Sequence, residues 1–140
     1  MKKLSAALAI ALATTGLSAH AATASQNFNV TVALTSACTV TAPSNVAFTY
    51  TSFQAAAANS TGGAFSVRCT NTLPYTLSLD ATAGTVIGLN YTLALSAPGG
   101  TGNGNAQAYT VNGTMAAGQG GTCATPTCNG TSARTLTVTY

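Results

Sequence analysis

The stretch QNFNVTVALT, residues 26–35, alternates large apolar side chains with small or polar ones. Successive side chains of a β-strand point to opposite sides of the sheet, so every second residue shares a face. One face here carries four large apolar side chains, which we call the N-terminal apolar face: Phe28, Val30, Val32 and Leu34. The stretch contains no glycine or proline that would interrupt a strand. It therefore predicts a β-strand that has to bury one side.

The pattern leaves open where this strand is buried. It can be the first strand of its own domain. Alternatively, it can be made for another chain, which leaves its own domain with a groove that a neighbour's copy fills. The second arrangement is β-strand addition, of which donor-strand complementation between pilins is an example. Burial of the N-terminal apolar face would contribute about 6–12 kcal/mol, at about 1.5–3 kcal/mol for each side chain. That free energy is sufficient to link two chains, but the alternation does not choose between the two hypotheses.

Beyond this stretch the chain reads as short strands between turn signals, with no convincing helix. Alternating apolar residues predict strands near residues 38–41, 46–53, 64–70, 75–79, 87–95, 106–115 and 136–140. Small, polar and glycine residues predict loops at 53–63, 97–105 and 118–132, of which 97–105 is expected to be flexible. About seven strands in one domain of this size predict an all-β antiparallel sandwich.

The first 21 residues have the layout of a secretory signal peptide. Lys2 and Lys3 give a positive start, and residues 4–17 are rich in Ala and Leu. Residues 18–21 offer small side chains at the positions that a signal peptidase reads, which predicts cleavage after Ala21. A second possible cleavage site follows Ala24. Cleavage after Ala21 leaves 119 of the 140 residues, the size of one domain with a modest core. We therefore expect the chain to be exported through the periplasm.

Charge is nearly absent after the signal peptide. The charged side chains from residue 22 onward are Arg68, Asp80 and Arg134, and there is no Glu, Lys, His or Trp. Soluble proteins carry charge on about a quarter of their residues, so little repulsion opposes association here. One Asp without His forms no catalytic triad, carboxylate pair or histidine metal site, and two arginines are too few for a nucleic-acid interface. We therefore predict a structural protein that assembles, with no enzymatic activity, cofactor, metal, nucleic acid or small-molecule substrate.

Four cysteines remain, Cys38, Cys69, Cys123 and Cys128. An even number in an exported chain predicts disulfides, and four cysteines allow three pairings. Spacing favours Cys38–Cys69 and Cys123–Cys128. The first would close a loop of about 30 residues and contribute about 3–4 kcal/mol in the chain-entropy model, and the second would contribute less. A zinc site is disfavoured because the chain lacks the usual C-x-x-C pairs.

Several short stretches follow one another in a specific order over most of the chain after residue 21. They are FNVTVAL (28–34), CTV (38–40), VAF (46–48), FSVRCT (65–70), PYTLSLD (74–80), YTVNGTMAAGQ (109–119) and LTVTY (136–140). In this order and spacing they resemble the spore coat U domain family, whose members include the main subunits of archaic chaperone–usher pili. The chain departs from that family's pattern at GTSAR (130–134), where the family has a run of Gly, Tyr and Asp, and in its second cysteine pair.

The resemblance implies an incomplete immunoglobulin-like antiparallel sandwich, residues 37–140, with a Cys38–Cys69 bridge. It also implies that a donor strand from a neighbouring subunit, residues 22–36, completes the sandwich, with the N-terminal apolar face in the neighbour's pockets. The C-terminal strand, with Leu136, Val138 and Tyr140, is expected to pair with a chaperone.

The function implied is that of a pilin that polymerises head-to-tail into an extracellular pilus used in adhesion and biofilm formation. The partners implied are identical neighbouring subunits, a periplasmic chaperone and an outer-membrane usher. The alternative function is a self-complete secreted β-sandwich that acts as a monomeric binding or surface-coat protein.

Overall fold

A computed structural model describes residues 22–140, so the predicted signal peptide lies outside the described residues. The described chain is all-β, with eight strands and no helix. In chain order the strands are β1 (Cys38–Val40), β2 (Ala58–Cys69), β3 (Pro74–Leu79), β4 (Ala83–Val86), β5 (Leu89–Leu95), β6 (Gly99–Thr101), β7 (Gln107–Met115) and β8 (Leu136–Thr139). No helix long and apolar enough to cross a membrane is present within residues 22–140.

The chain divides into two units between Ala33 and Leu34, and all eight strands belong to the second unit, Leu34–Tyr140. Residues 22–37 form neither helix nor strand. The side chains of the N-terminal apolar face are almost fully exposed, with relative accessibilities of 84% for Phe28, 77% for Val30, 79% for Val32 and 78% for Leu34. These are the largest apolar side chains in the stretch, and within this single chain they are not buried.

The second unit contains two antiparallel sheets. The five-stranded sheet has the order β1-β2-β7-β5-β4, and the three-stranded sheet has the order β6-β3-β8. Along each long strand, inward apolar residues alternate with outward polar ones, as the period of two requires. The buried core draws on both sheets and consists of Phe65, Val67, Cys69, Tyr75, Leu77, Leu89, Tyr91, Leu93, Val111 and Met115. The prediction of an incomplete antiparallel sandwich is confirmed.

Two disulfides and one hydroxyl cluster cross-link the second unit. Cys38 and Cys69 lie directly opposite each other in β1 and β2 and are bonded, and a second disulfide closes a short loop between β7 and β8. The hydroxyl of Tyr75 in β3 donates to Oε1 of Gln107 in β7 at 2.8 Å and lies 2.6 Å from the hydroxyl of Tyr109. These contacts join the two sheets. Burial, followed by the contact with Tyr109, raises the pKa of Tyr75 to about 12.

Two strands begin in places that the sequence pattern predicted to be loops. Residues 53–63 were expected to form a loop, but β2 begins at Ala58 because its first residues pair with the end of β7 beyond a register shift between Ser60 and Gly63. Residues 97–105 were expected to be flexible, but β6 pairs with β3 there. A Cβ on Gly100 would approach the hydroxyls of Tyr75 and Tyr109 to 2.9 and 2.8 Å, so this glycine allows a close contact rather than flexibility.

The region after Asp80 also differs from the prediction. The strand predicted from residue 87 begins at Leu89, because Ile87 and Gly88 form the tight turn between β4 and β5, with φ angles of 44° and 70°. Positive φ at both positions of a two-residue loop suits the twist of a hairpin. The short strand β4, which precedes this turn, was missed because its sequence AGTV offers little alternation.

Candidate binding groove

The second unit contains a groove with a volume of about 640 Å³. Two segments line it: residues 43–50 except Thr49, which we call the first wall, and residues 128–136, which we call the second wall. Its floor is made of core side chains of β5 and β7, namely Leu89, Tyr91, Leu93, Val111 and Met115. The groove therefore opens directly onto the hydrophobic core of the sandwich.

The first wall has the pattern of a strand but no strand partner. Val46, Phe48 and Tyr50 are half-buried, whereas the residues between them are exposed. Gly113 in β7 makes room for them, because a Cβ at that position would collide with the ring of Phe48 and approach Cγ1 of Val46 to 2.7 Å. Within the described residues, the backbone N–H and C=O groups of residues 45–50 have no hydrogen-bond partner. The strand predicted at 46–53 is thus absent for want of a neighbour, although its alternation is present.

Both ends of the first wall are anchored. At one end the N–H of Ser44 donates to the carbonyl of Ala64 at 2.9 Å. At the other end the hydroxyl of Tyr50 donates to the carbonyl of Ala116 at 2.7 Å and accepts from the N–H of Gln119 at 3.0 Å. The wall is therefore held in position while its own backbone groups stay available for pairing.

The second wall also presents an unpaired backbone. Among the described residues, no hydrogen-bond partner exists for the backbone groups of residues 129–134. The wall continues into β8, which is the outer strand of the three-stranded sheet and pairs with β3 on its other side. An open sheet edge with unpaired backbone groups is a site where a further strand can add. The groove therefore has the character of a sandwich that lacks one strand.

Side chains, rather than backbone bonds, hold residues 129–134 of the second wall to the rest of the molecule. Nε of Arg134 donates to the hydroxyl of Tyr91 at 2.9 Å and Nη2 donates to the carbonyl of Ala83 at 3.2 Å. Nη1 lies 3.7 Å from Oδ2 of Asp80. The hydroxyl of Tyr91 in turn donates to Oγ of Ser132 at 3.0 Å. These contacts connect the second wall to β4 and β5 across one end of the groove.

Asp80 serves as a structural anchor for the start of β8. Its N–H donates to the carbonyl of Thr135 at 3.0 Å, and its Oδ1 accepts from the N–H of Thr135, also at 3.0 Å. The hydrogen bond from Thr135, assisted by the nearby charge of Arg134, holds the pKa of Asp80 below its usual value. The carboxylate is thus ionised at neutral pH, as an acceptor of these hydrogen bonds should be.

The β4–β5 turn and the second disulfide loop close one region of the groove. Val86 and Ile87 line the groove, and a Cβ on Gly130 would approach their side chains to 2.5 and 2.9 Å. Cys128, one half of the Cys123–Cys128 disulfide, lies at the start of the second wall. Cys128 is therefore the member of the second disulfide that contributes to the lining of the groove.

The structure places the predicted site residues as follows. The N-terminal apolar face is exposed, as described above. Leu136 and Val138 in β8 are half-buried and pack against the core, and Tyr140 after the strand is 58% exposed. The lining of the groove, including Val46, Phe48 and Tyr91, was not identified from the sequence. The alternation at residues 46–50 was the available signal, but it was interpreted as an ordinary strand.

This arrangement can bind a particular kind of ligand. The walls offer unpaired backbone donors and acceptors, and the floor offers apolar side chains. An extended segment with one apolar face satisfies both, because its backbone can pair with the walls while every second side chain enters the groove. The fold and the groove together define an incomplete immunoglobulin-like sandwich.

Comparison with known families agrees with this class. A model of the Spore Coat Protein U domain matches residues 24–139, and the chain belongs to that family. The family is structural rather than enzymatic and is associated with subunits of chaperone–usher pili and with extracellular surface structures. No curated protein and no solved structure matches the chain.

Proposed function

We propose that this protein is a pilin that polymerises head-to-tail, each subunit lending residues 22–36 as a donor strand to the groove of its neighbour. The observation that carries the proposal is that one chain contains both an open groove and an exposed segment. The groove lacks a strand, and the segment has the alternating pattern of a strand with one apolar face. The groove has two walls with unpaired backbones, and the N-terminal apolar face is at least 77% exposed.

The size of the groove supports four side chains entering it. An apolar cavity of about 150 Å³ accepts one benzene-sized group, so 640 Å³ has room for about four groups of that size. The N-terminal apolar face supplies four, spaced two residues or about 6.6 Å apart along a strand. A one-residue shift would turn all four outward, so the register of the donor strand is strongly specified.

The free energy is adequate for a fibre without covalent links. Burial of the four side chains contributes about 6–12 kcal/mol, and ladder hydrogen bonds to both walls add about 1 kcal/mol each. Association costs several kcal/mol in lost translational and rotational freedom, and the surplus remains favourable. The donor strand and the groove are different surfaces of the same chain. A subunit that has bound one neighbour therefore still has a free donor strand or a free groove for the next, and repetition of the contact produces a filament.

An empty groove explains why assembly partners are needed. An apolar groove flanked by open edges is an aggregation hazard during export. A periplasmic chaperone therefore occupies the groove, pairing with the C-terminal strand that contains Leu136, Val138 and Tyr140, and an outer-membrane usher exchanges it for the next subunit's donor strand. This route places the finished pilus outside the cell, where it acts in adhesion and biofilm formation.

The first experiment disables the donor strand and leaves the groove intact. We expect residues 22–140 to form polymers, and we expect Val32→Asp to abolish them, because a buried unpaired carboxylate in the groove is strongly unfavourable. The matched control is Thr31→Asp, which places the same charge on the opposite face of the same strand and should leave polymers intact. Size-exclusion chromatography with light scattering and negative-stain electron microscopy measure the outcome.

A second step tests the groove directly. The Val32→Asp chain, which we call the acceptor chain, should bind a synthetic peptide of residues 25–36 and become more stable to heat on binding. An acceptor chain that is stable, monomeric and indifferent to the peptide would refute the pilin function and favour the self-complete monomeric sandwich instead.

A further inference from the structure

The second wall poses a physical problem that the donor strand alone does not solve. Its residues 129–134 have no backbone hydrogen bonds within the described chain, and residues 129–135 are exposed. A segment held so weakly samples many conformations, and fixing each residue's backbone costs about 1–2 kcal/mol in entropy. Some feature of the chain has to hold the wall in place before the donor strand arrives.

Arg134 makes the contacts that supply this restraint. Its guanidinium reaches Tyr91, Ala83 and Asp80, which lie on β5, on β4 and just after β3. The Arg134 carbon Cζ lies 5.6 Å from the centre of the Tyr91 ring, a distance at which a cation and an aromatic ring attract. A planar group with donors at fixed angles can meet three acceptors at once, which a lysine ammonium on a flexible stem does less well.

The neighbouring backbone is shaped to admit this side chain. A Cβ on Gly84 in β4 would collide with Nη2 of Arg134 and with the hydroxyl of Tyr91. Tyr91 is itself buried, with 6% of its surface accessible, and passes the restraint on to Ser132 through its hydroxyl. Gly84 therefore keeps open the space in which the guanidinium lies.

We propose that Arg134 is a positioning residue that holds the second wall in its strand-accepting conformation while the groove is empty, an inference that rests on the proposed pilin function. In the filled groove the donor strand satisfies the backbone of the wall, so the contacts of Arg134 become largely redundant. Arg134 therefore affects the rate at which the groove captures a strand much more than the rate at which it releases one.

The test measures how fast the acceptor chain captures a fluorescent peptide of residues 25–36. We expect Arg134→Gln in the acceptor chain to slow capture about tenfold, because the competent fraction of empty grooves falls, and to change release of bound peptide less than about twofold. Tyr91→Phe and Gly84→Ala disturb the same contacts and should slow capture in the same direction. Arg134→Lys should recover part of the rate. The control is Arg68→Gln, which removes the other arginine, located on the outer face of β2 and bonded to the carbonyl of Gly104.

A second measurement separates positioning from a general contribution to stability. In a filled form, an extra copy of residues 25–36 is attached after Tyr140 through a flexible linker, so that it occupies the chain's own groove. We expect Arg134→Gln to lower the melting temperature of the acceptor chain by several degrees and that of the filled form by much less. Equal losses in the two forms, or an unchanged capture rate, would overturn the role of Arg134 while leaving the pilin function intact. An acceptor chain with Arg134 present that captures no peptide would refute both.

Discussion

The sharpest prediction concerns the alternation of binding energy along the donor strand. Twelve-residue peptides covering residues 25–36, each with one alanine substitution, are titrated into the acceptor chain. If the N-terminal apolar face enters the groove, substitutions should weaken binding at every second position. The positions between them should be nearly neutral, because their side chains point to solvent.

The magnitude follows from the exposed surface that each side chain can bury. Phe28 exposes 84% of its surface, or about 170 Å² if a buried phenylalanine contributes about 200 Å². At about 25 cal/mol per Å² this corresponds to about 4 kcal/mol for a fully extended reference chain, and to about 3 kcal/mol once the partial burial of the unbound peptide is subtracted. Alanine would retain a small part of this free energy. Since about 1.4 kcal/mol is a tenfold change, Phe28→Ala should raise the dissociation constant by about 10²–10³-fold. For Val30 and Val32, a loss of about 1.5–2 kcal/mol implies about 10–30-fold.

Fluorescence anisotropy or calorimetric titration measures these dissociation constants. Asn29→Ala and Thr31→Ala serve as matched controls on the opposite face and should stay within about threefold of the unmodified peptide. Comparable losses at odd and even positions, or a stronger effect at Thr31 than at Val32, would refute the idea that this segment binds as a strand in the proposed register. A mere hydrophobic tail would lose affinity in proportion to total apolarity, without alternation.

Two further predictions concern the stability of the sandwich itself. Replacing Cys38 and Cys69 by serine should lower the free energy of unfolding by about 3–4 kcal/mol, whereas replacing Cys123 and Cys128 by serine should lower it by about 2 kcal/mol. The losses differ because the bonded residues are 31 positions apart in the first disulfide and 5 in the second. Urea unfolding of both double variants measures the two losses, and equal losses would argue against loop entropy as the cause. Raising the pH should also destabilise the fold, because burial raises the pKa of Tyr75 to about 12, so the folded state keeps a proton that the unfolded state releases above its ordinary pKa of about 10. That contribution is fully present below pH 10, decreases as the pH rises to about 12 and should vanish in Tyr75→Phe. A Tyr75→Phe variant with the same alkaline unfolding profile would contradict it.

Much of the fold could be predicted from local pattern. Phe65, Val67 and Cys69 alternate with polar residues over a strand's length, as do Tyr75 and Leu77, and these strands lie where the alternation indicated. Short or glycine-rich strands escaped prediction, because β4 and β6 carry too few apolar side chains to show a period. Their positions depend on pairing with β5 and β3, which lie elsewhere in the sequence.

The groove shows more clearly which features a local pattern can predict and which depend on distant parts of the chain. Val46, Phe48 and Tyr50 alternate as a strand does, and the pattern correctly indicated one apolar side. That no neighbouring strand pairs with this segment is a property of the folded chain. The stretch GTSAR in the second wall offered no signal, since it has no apolar period. Its role depends on contacts that Arg134 makes with residues about 40 to 55 positions earlier in the chain.

The sequence by itself determined that the protein is a nearly uncharged, all-β chain with an alternating apolar segment near its N-terminus, because composition and a period of two residues are local properties. Only the tertiary structure decided that the sandwich lacks a strand, which walls enclose the vacant position, and which side chains hold them. Hydrogen-bond partners in a sheet come from distant parts of the chain, so an unpaired edge has no local signature in the sequence. It can be identified only from the complete pairing of strands in the folded chain.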